Sequence, residues 1–90
     1  MGLTPLKMKV HKLKIQEEYL EELKAGNKTC EIRLNDRDYQ KGDILEFSDY
    51  SHYVGLTGNH PRRLHFEITH IHSGLGMEKN YVVLSIKRST

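Results

Sequence analysis

One cysteine, Cys30, stands among 90 residues, so no internal disulfide can form. Small secreted domains usually depend on such bridges, and the lone thiol therefore points to a cytoplasmic protein. No apolar run approaches the roughly 20 residues that a membrane-spanning helix needs. The first residues lack the apolar core of a signal peptide, and Leu6 stands where the N-myristoylation pattern asks for Ser or Thr. Neither sign of charge dominates. Lys and Arg number 14 against 12 Asp and Glu, a net charge of +2, with a pI of about 8.7. That is short of the density that marks a nucleic-acid binder by charge alone. No thiolate cluster and no His-Glu helix motif accompany the six histidines. His70 and His72 could present two imidazoles from one strand face, but His11, His65, His70 and His72 read as scattered surface residues, and neither metal nor cofactor is expected.

What is present fits one globular domain. The apolar share is 37% and the charged share 29%, too apolar for a disordered chain. The length leaves room for a single core cluster. Residues 1–7 read as a flexible lead-in, 8–87 as the domain and 88–90 as a frayed tail. There is no internal repeat and no low-complexity segment.

Periodicity divides the domain into short elements. Met8 to Ile15 alternates, with Lys9, His11, Leu13 and Ile15 on one face, a strand buried toward its C-terminal half. Gln16 to Ala25 reads as the single helix, with Tyr19, Leu20 and Leu23 on its apolar stripe and Glu17, Glu18, Glu21 and Glu22 toward water. Glu17 and Glu18 suit the positive end of the helix dipole and Lys24 the negative end. Gly26 is its C-terminal stop. Thr29 to Asn35 is a strand with Cys30, Ile32 and Leu34 on an apolar face and Thr29, Glu31, Arg33 and Asn35 on a polar one. Cys30 reads as a small core residue. A charged turn from Asn35 to Lys41 and the turn at Gly42-Asp43 launch a strand from Ile44 to about Ser48. Asp49 to Pro61 reads as a long loop. Arg63 to His72 and Tyr81 to Ile86 are strands, the latter a β-branched run suited to the sheet centre. One helix and about five to six strands give an α+β domain, a sheet curled into a small barrel with the helix after the first strand covering an open end.

The densest chemistry lies in Lys24-x-Gly26-x-Lys28-Thr29-x-Glu31-x-Arg33-x-Asn35-Asp36-Arg37-Asp38, followed by Lys41-Gly42-Asp43. At period two Thr29, Glu31 and Arg33 share one face, turned either to solvent or to the barrel mouth. Arg33 offers a planar fork of donors suited to phosphate, carboxylate or a base edge. Glu31 can pair with it structurally or help hold a ligand. Asp36 and Asp38 read as turn chemistry, whereas Arg37 reads as a ligand contact. Tyr50 and Tyr53 stand beside His52, His60, Arg62 and Arg63. Rings next to cations are what single-stranded nucleic acid uses, for stacking and for phosphate, although the same tyrosines could pack the loop onto the barrel.

These residues, with His11-x-Leu13-Lys14-Ile15, Tyr19, Gly42-Asp43-Ile44-Leu45 and Tyr81-Val82-Val83-Leu84, resemble the ASCH domain family of the PUA-like superfamily. The similarity is greatest to its small stand-alone members from bacteria and their phages, and runs from about His11 to Ile86. The resemblance implies a PUA-like β-barrel and a cleft lined by the Gly26 to Arg37 segment, where RNA would bind. Lys28, Thr29, Glu31, Arg33, Arg37, Tyr53, Arg62 and Arg63 are the expected nucleic-acid contacts. Some small relatives are amidohydrolases of N4-acylated cytidine nucleosides. They carry Lys at the position of Lys28 and Thr where this sequence has Glu31. Under that alternative Lys28 and Glu31 are the catalytic pair, Lys28 as nucleophile or base and Glu31 as its proton partner. A third possibility is a protein-interaction domain, for which the sequence shows no apolar patch outside the long loop. The expected partner is RNA or a nucleoside or nucleotide, no membrane is involved, and the chain is expected to be a monomer.

Overall fold

Residues 8–49 and 62–89 are described by the structure, a computed structural model. The elements are β1 (Val10–Leu13), α1 (Glu17–Ala25), β2 (Cys30–Leu34), β3 (Ile44–Asp49), β4 (Arg62–His72) and β5 (Tyr81–Arg88). The strands form one sheet in the order β1-β3-β4-β5-β2. β1 runs parallel to β3, and the other neighbours are antiparallel. The result is a small α+β domain in which five strands form a curled half-barrel, with one helix after the first strand. The β-branched run at 81–86 takes an inner position between β4 and β2. It extends through Arg88, which pairs with Phe66, one residue into the tail expected to fray.

Alternation explains the core. Leu45 and Phe47 of β3, Leu64, Phe66 and Ile68 of β4, and Val82, Leu84 and Ile86 of β5 turn to one side and are buried. Leu20 and Leu23 close this layer from the helix, and Leu13 from β1. The rings of Phe47 and Phe66 meet at 5.8 Å, tilted by 60°, a favoured aromatic geometry. A bulge between Ile68 and His70 resets the alternation of β4. Beyond it Ile71 packs against the core, and His70 and His72 are exposed.

Two edges need holding, because β1 and β2 end the sheet. On the β1 side the turn before β3 does this. Asp43 accepts the backbone N–H of Lys9 at 3.2 Å and of Gln40 at 3.0 Å. Its Oδ2 lies 2.8 Å from His11 Nε2, which donates to it. Both residues are buried, His11 at 5% exposure and Asp43 at 2%, and the His11 ring rests 4.7 Å from Tyr39. His11 is therefore a core histidine, not one of the scattered surface residues that sequence alone suggested. The alternation of β1 points it inward beside Leu13, and Asp43 supplies the partner that burial demands. On the other side, Arg33 Nη2 of β2 donates to the Lys14 carbonyl at 2.9 Å, joining β2 to the end of β1.

The two faces of β2 are opposite to the sequence expectation for the apolar set. Glu31 is buried and Arg33 half-buried, while Ile32 is 62% and Leu34 44% exposed; Cys30 is only half-buried. The register with β5 is the reason. Glu31 lies opposite Leu84 and Arg33 opposite Val82, both core residues, and cross-strand partners share a face. Among the described residues no helix is long and apolar enough to cross a membrane.

Candidate ligand groove

The groove begins where α1 ends. Gly26 adopts φ of 82°, and its N–H donates to Leu23 O while that of Asn27 donates to Glu22 O. This is a Schellman stop, in which a left-handed residue reverses the chain without steric cost only if it is glycine. The reversal brings Lys28 back beside the helix, with its ammonium 5.6 Å from the Tyr19 ring centre.

Three residues of the Gly-x-Lys-Thr-x-Glu-x-Arg segment converge there. Lys28 Nζ lies 3.1 Å from Glu31 Oε1 and also donates to the carbonyl oxygen of Cys30. Arg33 donates to Glu31 Oε2 from Nη2 at 2.9 Å and from Nε at 3.1 Å. The Arg33 guanidinium also sits 6.0 Å from the Phe47 ring centre. Each Glu31 oxygen thus faces one cation, which is how a buried carboxylate is tolerated. Glu31 and Arg33 are therefore partners of each other. The pair lines a cavity of about 570 Å³ with Lys14, Ile15, Gln16, Tyr19, Lys28 and Ile32.

A second cavity of about 360 Å³ adjoins the first and shares Lys14 and Arg33 with it. Its other lining residues are Lys12, Leu13, Leu34, Asp36, Arg37 and Tyr39. Burial raises the Tyr39 phenol above its ordinary value, against the opposing pull of Arg33 and Arg37. Asp43, behind it, moves the other way. Burial pushes its carboxyl up, but the hydrogen bonds from His11, Lys9 and Gln40 outweigh that and hold it below the usual range.

Of the expected contacts, Lys28, Glu31 and Arg33 share the first cavity and Arg37 lines the second. Thr29 is exposed and lines neither. Arg63 stands apart on β4, opposite Ser48, with its Nε 3.5 Å from Glu46 Oε2. Tyr53 and the side chain of Arg62 lie outside the described residues, as do Tyr50, His52 and His60. Lys14 and Tyr19 also line the groove, beyond the contacts expected from sequence. The helix stripe assigned Tyr19 to the core with Leu20 and Leu23, yet it is 47% exposed and lines the groove. Its position one residue before Leu20 put it at the margin of that stripe, and this was the available signal. His65 pairs with Glu46 at 2.9 Å, and no cluster of potential metal ligands occurs among the described residues.

The family model described as Domain of unknown function (DUF3850) matches residues 10–86. The chain belongs to the DUF3850 family. The DUF3850 match starts at the first residue of β1 and ends within β5, so it takes in both cavities and the Asp43 turn. No curated protein matches the chain.

Proposed function

We propose that this DUF3850 protein is a single-stranded RNA-binding module of the ASCH, PUA-like type, and that the groove between the start of α1 and β2 is its binding site. The observation that carries this reading is the Lys28–Glu31–Arg33 network beside Tyr19 in one open cavity. Phosphate needs fixed cationic donors, and an unpaired base needs a ring on which to stack. Glu31 fixes both cations from a buried position, which lowers the entropy lost on binding. The resemblance of the Lys28 to Asp38 segment to the ASCH family supports the same reading. Titration of ¹⁵N-labelled protein with a random single-stranded RNA pool is the test. Amide shifts should centre on Tyr19, Lys28 and Arg33, and Lys28→Ala should weaken binding. Shifts confined to other surfaces, or none at all, would rule the reading out.

A second reading, hydrolysis of an N4-acylated cytidine nucleoside, is favoured by the 3.1 Å separation of Lys28 Nζ and Glu31 Oε1. That distance is within reach of proton transfer. Incubation with N4-acetylcytidine should then release cytidine and acetate. Release no faster than with Lys28→Ala would exclude it.

A further inference from the structure

The two cavities along β2 are not equivalent. In the first, the cations Lys28 and Arg33 are already committed to Glu31. In the second, the side chains of Lys12 and Arg37 make no hydrogen bond or ion pair among the described residues, nor does the ammonium of Lys14, which both cavities share. Lys9 differs, with Asp38 at 3.6 Å. Among the described residues, the only carboxylate lining the second cavity is Asp36. Each cavity combines apolar surface with cations: Ile15 and Tyr19 in one, Leu13, Leu34 and Tyr39 in the other. Arg33 sits at their junction. Its Nε and Nη2 are used on Glu31 and on the Lys14 carbonyl, and its Nη1 is unengaged among the described residues.

We propose that the groove is a two-position track whose minimal ligand is a ribodinucleotide segment of single-stranded RNA. One unit occupies the cavity at Tyr19 and Lys28, and the next occupies the cavity between Lys12 and Arg37. The phosphodiester that links them passes the Lys14 and Arg33 junction. This rests on the RNA-binding reading of the first cavity. The repeat of the ligand matches the repeat of the groove: apolar surface for a base, then cations for phosphate, then apolar surface again. A compact anion would use the cations but leave the apolar surfaces unfilled, so a polynucleotide fits better than a small carboxylate or phosphate ester.

The test compares two ligand pools by NMR: the four 5′-ribonucleoside monophosphates, and all sixteen 5′-phosphorylated ribodinucleotides. The mononucleotides should shift the amides of Tyr19, Lys28 and Glu31. The dinucleotides should also shift those of Lys12, Leu34 and Arg37, and should bind about tenfold tighter, the scale of one added stacked base. Lys12→Glu, on an exposed side chain, should bring the ratio of the two affinities close to one. Equal affinity for both pools, with the amides around Lys12 and Arg37 unmoved, would overturn the track and leave the first cavity's reading standing. If neither pool moves Tyr19, Lys28 or Glu31, both the track and the reading beneath it fall.

Discussion

Glu31 concentrates the tension of this protein in one side chain. It is 5% exposed and sits between two cations. A buried charge stripped of its compensation is costly, typically 3–5 kcal/mol when one partner of a buried pair is removed. Here Lys28 and Arg33 are only about three-quarters buried, so water would recover part of that loss. Glu31→Gln is expected to lower unfolding stability by about 2–3 kcal/mol in urea denaturation. A loss below about 0.5 kcal/mol would mean that the network is dispensable for folding. The pair Asp43 and Tyr39 gives the opposite ends of a pH profile. Asp43 titrates lower in the fold than in the unfolded chain. Its contribution is therefore present above the unfolded value of about 3.9 and lost as pH falls through the lower folded value. Tyr39 titrates higher in the fold, so its contribution is present below about pH 10 and lost as pH rises through the raised folded value. Denaturation midpoints measured across pH should show Asp43→Asn less stable than the parent at pH 7, with the gap narrowing as pH falls below the unfolded value of about 3.9. Tyr39→Phe should flatten the alkaline decline. A gap that is constant down to pH 3 would contradict the assignment of the acid limb to Asp43.

At the scale of elements, β2 decides the site. Its sequence alternates cleanly, and an alternation names two faces without saying which is inward. The apolar set of Cys30, Ile32 and Leu34 leaves both orientations of the polar face open, and pairing with β5 puts Glu31 and Arg33 beside Leu84 and Val82. Edge position makes this affordable. The polar residues reach the open rim of the half-barrel, where Arg33 bridges to Lys14, and the exposed Ile32 and Leu34 occupy the outer face. These two exposed side chains also supply an apolar surface outside the long loop, which the sequence reading did not anticipate. The inversion has a direct consequence for mutation. Ile32→Thr is expected to change stability by no more than about 0.5 kcal/mol, as for surface positions. Removal of comparable bulk from a core-facing isoleucine costs several times that. Thermal melts of Ile32→Thr beside Ile68→Thr distinguish the two, since Ile68 is fully buried. Equal losses at both positions would refute the register of β2.

Over the whole molecule, a net charge of +2 conceals a separation of signs. Lys12, Lys14, Lys28, Arg33 and Arg37 gather along the groove, while Glu17, Glu18 and Glu21 lie together on the exposed side of α1. A polyanion drawn to the groove displaces counterions, so its affinity falls as salt rises. For single strands the logarithmic slope is about −0.7 per phosphate held. Lys28→Ala should therefore make the slope for the random RNA pool shallower by about 0.7. An unchanged slope would mean that Lys28 holds no phosphate. The near-neutral total arises because the acidic helix cancels the basic groove in the sum.

Much of this was written in the chain. The order of elements, the Gly26 stop, the Gly42-Asp43 turn and the alternating core strands follow from local rules, because period, glycine conformation and turn chemistry act between near neighbours. The residues of the Lys28 to Arg37 segment were legible as a polar cluster for the same reason. What only the tertiary structure decided are the relations between residues far apart in sequence. These are the pairing of His11 with Asp43, the arrival of Tyr19 and Lys14 at the groove, and the face that β2 turns inward. Each depends on strand register and on which strands become neighbours. Those are set by burial summed over the whole sheet, a quantity that no local window of the sequence contains.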